Sequence, residues 1–193
     1  MGAHATIDVN DIVSAAIQIV REAGWDAVSA RRIAGRLGCS TMPIYSGAGS
    51  MQDLRTLTKA RAVEMLETSQ RIPRTGNPAL DLAVGYVAFA REEPKLFHFV
   101  LSEDGSPRPP SPEESMRAGR ERLIDDAPKM GGILDSILKS VQGDFLFRSW
   151  IFTHGLAELV ASGVVEMSDE EILRHLNAAG AAFYAFHSQE GKA

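Results

Sequence analysis

Two short helical segments separated by only two residues constrain this chain more than any other feature. The first is predicted over residues 29–37 with Ser29 as its N-cap, and the second over residues 40–45 with Ser40 as its N-cap. Gly38 tolerates the left-handed backbone that such a tight turn requires. The apolar positions at which the two helices would pack are Ile33, Leu37, Cys39 and Ile44. This spacing predicts a helix-turn-helix, whose helix N-termini would attract phosphate groups.

Apolar residues recur at helical spacing through nearly all of the rest of the chain. Before the motif, the helical pattern runs from Asp8 to Gly24, which ends the predicted helix. After the motif, helices are predicted over about residues 51–71, 78–93, 94–101, 112–127, 144–162 and 168–187. Loops are predicted at residues 47–50 and in the proline-rich stretch 103–112, and no strand pattern is present. The predicted fold class is therefore all-α.

Composition narrows the kind of protein this can be. The 45% hydrophobic content is ample for a core, and the lone Cys39 has no partner for an intramolecular disulfide. No apolar stretch reaches the roughly 18 residues that a membrane span needs. Nor does a signal-peptide pattern open the sequence. We therefore expect a soluble cytoplasmic protein without a membrane partner.

Charge is distributed unevenly along the chain, whose net charge is -5. Residues 1–61 carry seven basic and five acidic side chains, whereas the remainder carries 13 basic and 20 acidic ones. An anion-binding surface is therefore expected at the N-terminal end, where the helix-turn-helix lies.

The first 60 residues resemble the TetR family of transcriptional regulators. The motif residues that carry the resemblance are Ala15-Ala16, Gly24, Ser29, Ile33-Ala34, Leu37-Gly38, Tyr45 and Asp53-Leu54. The resemblance implies an N-terminal three-helix DNA-binding domain, which we place at residues 1–50. Residues 51–193 would form a helical ligand-binding and dimerisation domain, with the helix at about 51–71 linking the two.

The resemblance also implies which residues meet operator DNA. The second helix of the motif would enter the major groove, with Thr41, Met42 and Pro43 facing the base edges. Residues expected at phosphates are Ser29, Arg31, Ser40, Tyr45 and Ser46. Because Met42 and Pro43 carry no side-chain donors, base recognition would depend on Thr41, on apolar contacts with thymine methyl groups and on DNA shape.

Further along, Trp150, His154 and Gly155 resemble a TetR branch with a Trp-His-Gly pattern. That resemblance implies that the last two helices of each subunit pair into a four-helix bundle, while the preceding helices enclose a ligand cavity. Helical periodicity predicts a dimer interface of Ile172, Leu176, Ala179, Gly180 and Phe183. The predicted cavity residues are Phe89, Phe97, Met116, Leu123, Phe147, Trp150 and His154. An apolar or aromatic small molecule would suit such a lining.

The predicted function is a sequence-specific DNA-binding regulator, a dimeric repressor that responds to a ligand. Its expected partners are double-stranded operator DNA, a small-molecule effector and a second copy of the chain. No cofactor or metal is expected, because acidic pairs such as Glu92-Glu93 are adjacent and point in different directions. Without a nucleophile elbow or a phosphate-binding glycine loop, the chain is not expected to be an enzyme.

An alternative stays open on the sequence alone. Residues 46–51 include Gly47 and Gly49 and lack the Lys that many TetR relatives have at the start of the fourth helix. The glycines would loosen the link between the recognition helix and the core, and the missing Lys would remove a phosphate contact. The alternative is a helical ligand-binding or interaction protein whose degenerate helix-turn-helix no longer reads DNA.

Overall fold

The computed structural model describes residues 7–102 and 143–190, and within them it contains α-helices and no strand. The helices are α1 (Val9–Ala23), α2 (Ala30–Leu37), α3 (Met42–Ala48), α4 (Met51–Gln70), α5 (Pro78–Glu92), α6 (Pro94–Leu101), α7 (Gly143–Ala161) and α8 (Asp169–Glu190). A 3-10 turn, Trp25–Ala27, follows α1. The predicted all-α class is confirmed, while the loop and helix predicted between residues 103 and 127 lie outside the described residues.

The chain divides into two compact units. The first runs through Glu67 and also includes the segment that starts at Glu93, so it holds α1 to α3, most of α4, and α6. Helices α2, α3 and α6 all pack against α1. Its buried core includes Ile12, Ala16, Ile19, Ile33, Ile44 and Leu54. A single boundary was expected near residue 50. The first unit instead extends to Glu67 and also includes the distant segment that starts at Glu93.

Local capping fixes the start of α1 and both ends of α2, and the caps of α2 are those that the sequence predicts. The Asp8 carboxylate accepts a hydrogen bond from the backbone N–H of Asp11, which forms the reciprocal bond and completes a capping box. The Ser29 hydroxyl accepts a hydrogen bond of 3.3 Å from the backbone N–H of Arg32 at the start of α2. Gly38 ends α2 with φ 67° and ψ 32°, the left-handed conformation that the turn requires.

Helix α3 differs from its prediction at both ends. Its N-cap is Thr41 rather than Ser40, no side chain caps it, and Pro43 lies within the first turn, where its fixed φ suits a helix start. The helix continues to Ala48 instead of stopping at Tyr45.

Gly47 belongs to α3 and lies against α1. A Cβ placed on Gly47 would lie 2.8 Å from the Ile12 Cδ1 atom, so glycine lets the end of the Ile12 side chain pack closely against α3. The loop expected at residues 47–50 thus shrinks to Gly49 and Ser50. Packing against Ile12 explains the glycine at position 47. This explanation weakens the interpretation of the segment as a sign of a degenerate motif.

Helix α6 packs within the first unit through apolar and ionic contacts. Phe97 is completely buried, and the Phe99 ring stacks on Trp25 with centroids 5.1 Å apart. The Glu93 carboxylate pairs with Arg21 at 2.6 Å, and the Lys95 ammonium donates to the Glu22 carbonyl. The segment after α5 therefore behaves as part of the unit that holds the helix-turn-helix.

The second unit contains the end of α4 from Thr68, α5, and α7 and α8. Helix α5 packs against both α7 and α8, which also pack against each other. The buried residues of this packing include Val84, Val87, Leu156, Val160, Ile172 and Leu176. Arg91 at the end of α5 pairs with Asp169 at 2.6 Å and donates to the Met167 carbonyl at 3.1 Å. Across the parts that the structure describes, no helix is long and apolar enough to cross a membrane.

Candidate nucleic-acid interface

Helix α3 buries one face in the first unit and exposes the other. Ile44 and Ala48 are buried, whereas Met42 is 77% exposed and Tyr45 is 54% exposed. The remaining predicted contact residues of this segment are Ser40, Thr41 and Ser46, which are exposed, and Pro43, which is half-buried. The side chains assigned to DNA from the sequence therefore lie on the solvent side of the motif.

Several of these side chains have no competing role in the described part of the chain. The Thr41 hydroxyl does not cap α3, and neither it nor the Ser40 hydroxyl donates to another described residue. The Ser46 hydroxyl donates to the Pro43 carbonyl at 3.2 Å, which still leaves its oxygen able to accept a hydrogen bond. The exposed surface of α3 thus offers hydroxyl groups and one flexible apolar side chain.

The basic side chains near this surface lie on α2 and not on α3. No charged residue occurs between Leu37 and Gln52. On α2, Arg36 pairs with Glu22 at 2.6 Å, and this pairing lowers the pKa of the Glu22 carboxyl. The Arg32 guanidinium donates to the Ala27 carbonyl at 3.3 Å. Arg31 is exposed and makes no ion pair with another described residue, so its charge faces solvent.

An open cleft of about 370 Å³ lies where the N-termini of α2 and α4 meet the middle of α3. It is lined by Trp25, Val28, Ser29, Ala30, Tyr45, Met51, Gln52 and Arg55. The structure therefore brings together Ser29 and Tyr45, both assigned to phosphates from the sequence. Sequence reasoning did not find the contributions of Trp25, Gln52 and Arg55.

Arg55 supplies the positive charge of this cleft. Its guanidinium carbon lies 4.8 Å from the centre of the Trp25 ring and 5.4 Å from that of Phe99, so two stacked aromatic rings support it. Burial lowers the pKa of Arg55, while the Asp26 carboxylate acts in the opposite direction, and the group stays protonated at neutral pH. Arg55 follows Met51 by one helical turn and places a cation near the point where the expected Lys is missing.

The start of α4 is held by a capping box. The Ser50 N–H and hydroxyl donate to the Asp53 carboxylate at 2.9 and 2.7 Å, and the Asp53 N–H donates to the Ser50 hydroxyl at 3.1 Å. The hydrogen bonds from Ser50 lower the pKa of the Asp53 carboxyl. This cap fixes the helix that carries Gln52 and Arg55 into the cleft.

The residues predicted for a ligand cavity are divided between the two units. Phe97 is buried in α6 of the first unit, whereas Phe89 is buried in α5 of the second. In the second unit, the His154 ring stacks on Trp150 with centroids 5.1 Å apart, and its Nδ1 lies 3.0 Å from the Tyr86 hydroxyl. Met116, Leu123 and the side chain of Phe147 lie outside the described residues.

Of the residues predicted for a dimer interface, two are buried and three are half-buried. Ile172 is completely buried and Leu176 nearly so, because both pack within their own unit; neither is available to a partner. Ala179, Gly180 and Phe183 are half-buried, and the Phe183 ring packs edge-on against Phe152 with centroids 6.2 Å apart. Among the residues that are described, no group of three or more His, Cys, Asp or Glu side chains could hold a metal ion.

This arrangement defines a helix-turn-helix protein with a separate helical unit. A crystal structure of a TetR-like transcriptional regulator from Rhodococcus sp. RHA1 shares the fold, with a TM-score of 0.53 and 18% sequence identity. The match covers 91% of this chain and 94% of that one. No family model and no curated protein matches the chain. The comparison establishes the fold that the TetR resemblance implies, whereas the Trp-His-Gly branch stays a prediction.

Proposed function

We propose that this protein is a DNA-binding transcriptional regulator of the TetR type. The observation that carries the proposal is the exposed face of α3 beside a cleft that holds Ser29, Tyr45 and Arg55. An α-helix fits the major groove of B-DNA, and hydroxyl, guanidinium and backbone N–H groups flanking it are the usual phosphate ligands. In this arrangement α3 enters the groove while the cleft receives a backbone phosphate.

The charges around the motif fit this orientation. Arg31 projects from α2 and forms no ion pair within residues 7–102 and 143–190, and Arg55 is held in the cleft by two aromatic rings. Both would lie on the backbone side of α3, which itself carries no charge. Phosphate neutralisation by such residues provides affinity that falls as salt concentration rises.

Binding of duplex DNA from upstream of the protein's own gene tests the proposal, measured by fluorescence anisotropy. We expect Arg31→Ala, Tyr45→Phe and Arg55→Gln each to weaken binding, because each removes a group offered to a phosphate. Leu57→Ala on the exposed side of α4, outside the cleft, is the matched control and should leave affinity unchanged. Unaltered binding by all three variants would contradict the proposed surface.

We further propose that the regulator is a two-fold dimer formed through exposed faces of α7 and α8. On α7, Ile151 is 49% exposed and Leu159 is 44% exposed, and they lie on either side of Gly155, whose missing Cβ leaves open space. On α8, Tyr184 and Phe186 are exposed. Large apolar side chains beside a small residue allow a partner helix to approach closely.

Sedimentation equilibrium tests the dimer. We expect a dimer for the unaltered protein and a monomer for Leu159→Glu, because an uncompensated carboxylate would be buried at the contact. Leu57→Glu places the same change on an exposed leucine of the first unit and should remain dimeric. A monomeric unaltered protein at micromolar concentration would contradict this part of the proposal.

The effector is proposed to bind beside Tyr86, Trp150 and His154 and to be an aromatic molecule. Burial raises the pKa of Tyr86, so its hydroxyl stays protonated, and the hydrogen-bonded Tyr86–His154 pair provides polar groups beside the Trp150 ring. A thermal-shift screen of aromatic compounds is the direct test, since saturation at 100 times the Kd stabilises by about 2.7 kcal/mol. A true effector should also release DNA. A compound that stabilises equally well after Trp150→Leu would exclude this site.

A further inference from the structure

The exposed face of α3 has an unusual chemical composition for a helix that meets DNA. Met42 is its most exposed large apolar side chain, and the other outward groups are the hydroxyls of Thr41, Tyr45 and Ser46. Between Leu37 and Gln52 no residue carries charge, and within α3 itself none carries an amide. The helix therefore lacks the side chains that make paired hydrogen bonds to a base.

Each base pair presents a different set of groups in the major groove. Guanine is recognised by the paired donors of Arg or Lys, adenine by the amide of Asn or Gln, and cytosine by a carboxylate. Thymine instead presents its C5-methyl group, which is contacted by apolar side chains. Of these four interactions, α3 can make only the last through Met42, with the Thr41 hydroxyl as an additional hydrogen-bonding group.

Met42 faces solvent and does not belong to the core. Its apolar neighbours on α3, Ile44 and Ala48, point inward and are buried, whereas Met42 remains 77% exposed. Its unbranched, polarisable thioether can adapt to the shape of a methyl group. Burying this side chain against DNA would remove apolar surface from water, which gives the contact a favourable free energy.

We infer that Met42 selects a thymine in each half-site by contacting its C5-methyl group. The inference rests on the proposed DNA-binding function and specifies the base class that the surface recognises. Neither Arg31 nor Arg55 contributes to this choice, because phosphates carry no base identity. Recognition on α3 is therefore apolar, and attraction to DNA comes from the residues around it.

Selection of tight-binding duplexes from random DNA, followed by replacement of each thymine with deoxyuridine, tests the inference. Deoxyuridine keeps the hydrogen-bonding groups of thymine but lacks the methyl. We expect about fourfold weaker binding for one such thymine and about fifteenfold when both half-sites are changed. Insensitivity at every thymine in a duplex that is otherwise bound tightly would overturn the inference while leaving the DNA-binding function intact. Failure to select any duplex would overturn both.

Substitutions at Met42 test whether this side chain causes the preference for thymine over deoxyuridine. Met42→Ala should bind thymine and deoxyuridine duplexes equally, whereas Met42→Leu, which retains an apolar side chain of similar volume, should keep the preference. Met42→Gln adds an amide and should prefer adenine at the same position by about fivefold or more. An undiminished thymine preference in Met42→Ala would overturn the assignment. Thermal unfolding checks the fold, which an exposed position should leave unchanged.

Discussion

Helices α2 and α3 form one helix-turn-helix but differ in charge, capping and packing. Helix α2 carries Arg31, Arg32 and Arg36 and begins with a side-chain cap, whereas α3 has neither charge nor cap. Both helices pack against α1, but only α2 also begins with a side-chain cap. The difference teaches that, in the proposed regulator, the positive charges that attract the DNA backbone and the side chain that chooses a base lie on different helices.

Glycine substitutions should show the difference in packing most strongly. Gly47→Ala brings a Cβ within 2.8 Å of the Ile12 Cδ1 atom, so the end of this completely buried side chain must move within the core. We expect a loss of about 1–3 kcal/mol in the free energy of unfolding, the usual cost of overpacking. Chemical denaturation with both tryptophans as fluorescent reporters measures this loss.

Gly35→Ala is the matched control on α2. This glycine is exposed, and no atom lies within 4 Å of the Cβ that the substitution adds. Because alanine favours helix over glycine, we expect a gain of about 0.5–1 kcal/mol. Equal effects at the two positions would contradict the contrast between a glycine packed against Ile12 and one that faces open space.

The difference in capping between α2 and α3 predicts a smaller change in the free energy of unfolding. Ser29→Ala removes the hydroxyl that accepts from the Arg32 N–H and should cost about 1 kcal/mol. Thr41→Ala at the equivalent position of α3 should stay within about 0.5 kcal/mol, because the Thr41 side chain caps nothing. Thermal unfolding of both variants measures the difference, and a larger loss for Thr41→Ala would show that α3 has a cap after all.

The charge difference predicts a distinct signature in DNA binding. Arg31→Ala should weaken binding to all duplexes alike and make the dependence of log K on log salt shallower by about 0.9. Met42→Ala should leave that slope unchanged and alter only the base preference. Anisotropy titrations at several salt concentrations separate these outcomes. A change of slope on Met42→Ala, or of base preference on Arg31→Ala, would mean that the two roles are not separate.

How far the sequence predicts the structure depends on whether the signal is local. The limits of α2 follow from Ser29 and Gly38, which act on their own neighbours, and both were predicted correctly. The limits of α3 were not, because Ser40 is a good capping residue in isolation and Gly47 looks like a loop residue. Only the contact with Ile12 on another helix gives a glycine inside α3 a packing role.

The candidate site shows the same pattern. Ser29 and, on α3, Met42 and Tyr45 were assigned to DNA from the TetR resemblance, and the structure places them at the exposed surface of the motif. Arg55 was missed, because its role depends on Trp25 and on Phe99, which belongs to a helix far along the chain. The dimer prediction treated apolar periodicity as free surface, whereas Ile172 and Leu176 are already buried within their own unit.

Binding to a duplex selected from random DNA, compared with the same duplex after its bases are shuffled, tests the central proposal most directly. If the protein is a sequence-specific DNA-binding regulator, we expect tighter binding to the selected duplex. For both duplexes we expect log K to fall linearly with log salt between about 50 and 200 mM. Equal affinity for the selected and shuffled duplexes, or no binding at the lowest salt concentration, would contradict it.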